Sequence, residues 1–236
     1  MKFKITVALS AAILACILFM LSPYFNFTEI TVTGNLQIED YEILSRAQLG
    51  SPTNFFLFRP ARARRDVLEN HFIDHVHFRR ALPGTMEITV RERFLSGYIE
   101  HLEGMFLFID ENGRVLEVRS YKTEELPIIT GLRFSQVHLG ELLEVDNPDA
   151  FSTVVTYARL FNRHDLTGII SQIDVSDPDN ARLRLYNIEV YLGDVRNANE
   201  KVLTLREIVN EWPVVQDARG FLDLRGPAPH IFRNLT

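Results

Sequence analysis

The 236-residue chain carries 25 Lys and Arg against 31 Asp and Glu, a formal net charge of -6, with 46% hydrophobic residues and one cysteine. Beyond an anchor, that length allows one large domain or two small ones, and a single cysteine cannot close a disulfide within the chain. The charge is uneven: eight arginines face five acids over residues 59–93, whereas 14 basic and 22 acidic residues follow from Phe94 onward. Two domains with different electrostatic faces are expected, neither basic enough to argue for nucleic acid.

Residues 5–21 contain no charge and are flanked by Lys2 and Lys4 on one side and by Pro23-Tyr24-Phe25 on the other. At about 1.5 Å per residue they reach roughly 25 Å, enough for one helix to cross a bilayer with aromatic anchors at its ends. The reading is a cytoplasmic tail at 1–4 and a transmembrane helix at 5–22. The positive-inside rule then puts the N-terminus in the cytoplasm and the remaining chain outside. A cleaved signal peptide needs a small-x-small site, which Met20-Leu21-Ser22-Pro23 supplies poorly. Cys16 loosely fits a lipoprotein box but is followed by five apolar residues where such a protein turns polar.

A first domain is expected over 26–95. Residues 27–33 alternate apolar and polar, a strand with one buried face, ended by Gly34-Asn35. Residues 38–49 carry apolar groups at helical spacing, with Gly50 placed for a C-terminal cap. Pro60 opens a second helix striped by Val67, Leu68 and Phe72. Val76 and Phe78, then Met86, Ile88 and Val90, alternate with polar residues around a turn at 82–85, a hairpin with a charged outer face. The order is β-α-α-β-β.

A second domain is expected over 96–228, with a tail at 229–236. Residues 105–109 and 115–118 make a hairpin turned by Asn112-Gly113. Asn147-Pro148 opens a helix to about Phe161 whose buried side is Phe151, Val154, Val155, Ala158 and Phe161. Three strands follow at 169–175, 181–186 and 188–192, then a helix at 199–212 stopped by Pro213, and a last strand at 221–225. The fold class is α+β, behind one N-terminal membrane helix.

Catalytic signatures are missing: there is no Gly-x-Ser-x-Gly, no phosphate-cradling Gly-rich loop, and the one cysteine lies in the apolar segment. His71, Asp74, His75 and His77 form the most enzyme-like group. The following hairpin places His75 and His77 on a strand, where helical ligand spacing does not apply, so no metal and no cofactor is expected. Asp177-Pro178-Asp179-Asn180 reads as a turn rather than a carboxylate site. Arg59, Arg62, Arg64 and Arg65 crowd a helix start, where positive charge opposes the dipole. They read either as a solvated face or as a contact for a partner or anionic headgroups.

Motifs in order along nearly the whole chain resemble one family. They are Phe27-Thr28-Glu29-Ile30-Thr31-Val32-Thr33-Gly34-Asn35, Asn54-Phe55-Phe56, Arg80-Ala81-Leu82-Pro83-Gly84-Thr85, and Ile88-Thr89-Val90-Arg91-Glu92-Arg93 in the first domain. In the second they are Phe108-Ile109-Asp110-Glu111-Asn112-Gly113, Leu126-Pro127-Ile128-Ile129-Thr130-Gly131, Ile173-Asp174-Val175-Ser176, Val190-Tyr191-Leu192-Gly193, Lys201 and Leu222-Asp223-Leu224-Arg225. The family is that of the bacterial division proteins FtsQ and DivIB. The resemblance implies a POTRA domain beside the membrane and a β domain beyond it. It also implies a non-catalytic scaffold at the division septum that joins FtsB/DivIC-like and FtsL-like partners and thereby helps control septal peptidoglycan synthesis, with a septal penicillin-binding protein as a further candidate partner. A POTRA-bearing secretion or envelope-assembly protein is the alternative.

The resemblance maps partner binding onto the last strands, here Phe221, Leu222, Asp223, Leu224 and Arg225. An exposed edge strand suits that role, because unpaired amides and carbonyls accept an incoming strand and alternate side chains select it. Phe221 and Asp223 are expected on one face, Leu222 and Leu224 on the other. The competing reading makes the leucines core and Asp223-Arg225 a local ion pair. Lys201 faces the same surface or is a solvated helix lysine.

Overall fold

The computed structural model describes residues 2–81, 84–102, 104–211, 218–226 and 230–234. Helix α1, Lys2–Met20, is built almost wholly of apolar residues, and its stretch Phe3–Met20 is long and apolar enough to cross a membrane, with none of it buried in protein. It begins at Lys2 rather than at residue 5. The chain divides into two compact units, Met1–Arg93 and Phe94–Thr236, each with its own apolar core.

In the first unit β1 (Glu29–Thr33), α2 (Asp40–Arg46), α3 (Pro60–Leu68), β2 (Ile73–Ala81) and β3 (Thr85–Glu92) follow the expected β-α-α-β-β order. The sheet order is β1-β3-β2, with β3 parallel to β1 and antiparallel to β2. Along β3 the side chains of Met86, Ile88 and Val90 are buried while Glu87, Thr89 and Arg91 are exposed, a clean period of two. They pack with Ile43, Ala63, Val67 and Val76. Of the expected turn at 82–85, Leu82 and Pro83 lie outside the described residues, and Thr85 already belongs to β3. Glu92 at the end of β3 is buried, yet its carboxylate accepts from the backbone N–H groups of Leu36, Gln37 and Ile38 at 2.9, 2.9 and 3.0 Å. This anchors the turn before α2 and satisfies the buried charge.

The cap of α2 differs from expectation. Gln48, not Gly50, takes the left-handed conformation (φ 60°); its N–H reaches the Ser45 carbonyl while that of Leu49 reaches Leu44. This is a Schellman closure, and it puts the left-handed residue two positions before the glycine.

In the second unit β4 (Leu95–Leu102), β5 (Met105–Asp110), β6 (Val115–Arg119), β7 (Ile128–Thr130), β8 (Ile170–Asp174), β9 (Ala181–Leu185), β10 (Ile188–Gly193), β11 (Gly220–Asp223) and β12 (Ile231–Asn234) form one sheet ordered β12-β11-β10-β9-β8-β7-β4-β5-β6. Helices α4 (Pro148–Arg163) and α5 (Ala198–Glu211) pack on each other. The expected stop of α5 at Trp212-Pro213 lies outside the described residues. Ile129, Ile173, Leu183, Val190, Leu222 and Phe232 are successive register partners from β7 to β12, one apolar row running across six strands. Val154, Tyr157, Phe161, Val202 and Leu205 belong to the same core. Burial pushes the Tyr157 hydroxyl's pKa well above its usual range, helped by Asp194, whose carbonyl accepts from it at 3.3 Å. The segment 229–236, expected to be a tail, thus contributes a strand, because Phe232 completes an apolar row and cannot be left in water.

Candidate functional site

The strand read from sequence at 221–225 is internal. β11 pairs in parallel with β10 on one side and antiparallel with β12 on the other. It therefore offers no free backbone, and the edge lies one strand further on. Among the described residues nothing pairs with the outer side of β12. The opposite margin is different: at the start of β6, Val115 exchanges backbone hydrogen bonds with Gly140 and Glu141, and Arg114 bridges Leu142. A loop thus covers part of that edge.

Side chains of β11 alternate as expected. Leu222 and Leu224 are buried in the core, whereas Phe221, Asp223 and Arg225 turn to the outer face. There Phe221 meets the Tyr191 ring edge to face at 6.1 Å, with the Arg233 guanidinium 5.6 Å from the Phe221 ring centre. Arg182 and Arg225 each lie 5.1 Å from the Tyr191 ring centre. Arg225 also forks onto Asp223, donating from Nε to Oδ1 at 2.9 Å and from Nη2 to Oδ2 at 2.6 Å. Those donors, foremost the Arg225 side chain, hold the Asp223 carboxyl down at about 2. The result is a layer of guanidinium and aromatic groups beside an open edge, a composition typical of residues that anchor protein interfaces.

Lys201 is neither solvated nor part of this outer layer. It is 7% exposed on α5, and its ammonium donates to the Asp194 carbonyl at 2.8 Å; burial lowers its pKa, with Asp194 opposing. Arg196 binds the Asp194 carboxylate and lowers its pKa. Lys201, Asp194 and Arg196 line a cleft of about 800 Å³ together with Leu224, Arg225 and His230. The cleft brings Lys201 beside Leu224 and Arg225 just past the end of β11, and Phe221 is not part of its lining. Sequence reasoning missed Arg182, Tyr191 and Arg233. Only the register that places β9, β10 and β12 beside β11 brings them together.

His75 and His77 lie on β2 with exposed side chains, and His71 sits in the turn before it. Among the described residues no group of three or more His, Cys, Asp or Glu is arranged to hold a metal ion. Asp177 caps the short turn Pro178–Asn180, accepting from the Asp179 N–H at 3.1 Å.

Residues 25–93 match the family described as POTRA domain, FtsQ-type, and residues 97–225 match that described as Cell division protein FtsQ/DivIB, C-terminal. The cell division protein DivIB of Clostridium acetobutylicum is 35% identical over 203 residues, covering 86% of this chain and 80% of that protein. DivIB of Clostridium tetani is 25% identical over 204 residues, covering 86% and 77%. The cell division protein FtsQ of Rhizobium meliloti is 30% identical over 108 residues, 45% of this chain and 35% of that protein.

Proposed function

Because the chain belongs to the FtsQ/DivIB family of cell-division proteins, we propose that it is a non-catalytic, single-pass scaffold of the division septum. Its N-terminus is cytoplasmic, and it binds FtsB/DivIC-like and FtsL-like partners to help control septal peptidoglycan synthesis. The observation that carries this reading is the open edge of β12 beside Phe221, Arg225 and Arg233. An incoming strand would pair with β12 and set alternate side chains against that layer. The match of residues 97–225 favours division over secretion or envelope assembly.

Co-purification of the full chain with its division partners, compared across Ile231→Pro, Phe232→Pro and Arg233→Pro, tests the mode of binding. Alternate N–H groups of β12 point inward to β11 and outward, so the set divides by parity. An outward position should keep the fold and lose the partner, while an inward position should also loosen β11. Full binding by every folded proline variant sinks strand addition at β12. No binding even by the wild-type chain sinks the scaffold reading.

A further inference from the structure

The first unit carries a second surface that partner binding through β12 leaves unused. Loop 53–56 is stitched to the end of α1. Asn54 Nδ2 donates to the carbonyls of Met20 and Ser22 at 3.0 and 3.2 Å, satisfying at Met20 an acceptor that the helix end leaves open. The Phe27 N–H donates to Thr53 O at 2.9 Å and the Phe55 N–H to Phe25 O at 2.7 Å. A chain of rings links the same pieces: Phe19 to Phe25 at 5.3 Å, Phe25 to Phe56 at 5.2 Å, and Phe56 to Phe55 at 5.2 Å. Tyr24 and Leu57 beside them are 69% and 62% exposed. Whatever depth the end of α1 occupies, this loop shares it.

Guanidinium groups border this apolar collar. Arg80 donates to Phe55 O at 2.9 Å and lies 5.1 Å from the Phe55 ring centre. Arg59 and Arg62 line one hollow together with Leu57. Arg62 lies 3.5 Å from Asp66, and Arg59 forms no ion pair among the described residues. Both stand at the start of α3, where the dipole disfavours positive charge and an external anion relieves it. Arg64 and Arg65 line a different hollow, with Leu68 and Glu69.

We propose that loop 54–58 and the start of α3 dock on the phosphate-bearing headgroups of an anionic bilayer, at the surface where α1 emerges. Tyr24, Phe56 and Leu57 enter the interface, and Arg59 and Arg62 bind phosphodiesters, which suit a planar guanidinium. The proposal rests on the reading that α1 spans the membrane. Continuity with α1 and charge complementarity select a lipid surface over a soluble partner.

The test uses the full chain in nanodiscs of phosphatidylcholine alone or mixed with phosphatidylglycerol. The single native cysteine makes site-directed labelling simple. Cys16→Ser with Leu57→Cys carries an environment-sensitive fluorophore, Cys16→Ser with Leu36→Cys serves as the exposed control, and a label on native Cys16 reports the acyl region. Docking predicts a blue shift at position 57 that grows with phosphatidylglycerol. The growth should be lost in Arg59→Glu/Arg62→Glu and kept in Arg59→Lys/Arg62→Lys, with no shift at position 36. Water-like emission at 57 while the Cys16 label sits among acyl chains overturns docking and leaves the spanning reading intact. A shift at 57 that is equal in both lipids and indifferent to the arginines overturns the headgroup site. Water-like emission from Cys16 overturns both readings.

Discussion

Asp223 and Arg225 show how one residue pair serves two ends. The fork from Arg225 stabilises the ionised carboxylate and holds its pKa at about 2, below the ordinary 3.8. A depressed acid contributes stability that is complete above the ordinary pKa and disappears as pH falls through the folded value. Here that window runs from about pH 4 down to about pH 2. The same contact orients the guanidinium toward Tyr191 on the outer face. Titration of the Asp223 carboxyl carbon by NMR should give a midpoint near 2 in the intact chain. In Arg225→Gln it should move up toward 3.8, and an unmoved midpoint would show that the fork is not the cause. Partner binding through this face should lose nothing of that ion pair near neutral pH, because Asp223 is fully ionised there.

At the scale of elements, caps and pairings decide what the sequence reveals. The Schellman closure of α2 rests on Gln48 at φ 60°, a conformation costing a side chain about 1 kcal/mol that glycine escapes. Gln48→Gly relieves that strain but adds roughly 0.5 kcal/mol of unfolded-chain entropy. The net expectation is slower hydrogen exchange through α2, by about a factor of two, in the intact chain. Faster exchange would mean that the Gln48 side chain matters more than its backbone. Periodicity found the long elements because their signals are local: β3 alternates cleanly, and Asn147 accepts from the Asp149 N–H to open α4. It passed over β4, β7 and β12. β7 is three residues long and is held by parallel neighbours distant in sequence, and β12 follows the Gly226-Pro227-Ala228-Pro229 stretch, which reads as the end of the domain rather than as a link to a further strand. The candidate edge was misplaced by one strand for the same reason. The β11 pattern of buried Leu222 and Leu224 against outward Phe221 and Asp223 was legible from spacing alone. The neighbours that make the outer face a patch were not.

At the scale of the molecule, the two cores share no residue. One draws on Ile43, Val67, Val76, Met86 and Ile88, the other on Tyr157, Phe161, Leu183, Val190 and Leu222. Removing buried methyl and methylene groups costs about 2–5 kcal/mol where the surroundings cannot collapse, and that cost is confined to the core that contains the cavity. Ile43→Ala should therefore raise hydrogen exchange across β1, β3 and α3 and leave β8 to β11 unchanged, while Leu183→Ala should do the reverse. Equal responses in both units would show a single cooperative body. The same pair of variants separates the two proposed surfaces: Leu183→Ala should weaken capture of the division partners, because it loosens β9 and the β10 and β11 strands that support β12. Ile43→Ala should spare that capture and diminish the lipid-dependent shift at position 57, whose loop is braced by the first core through Phe27 and Phe58.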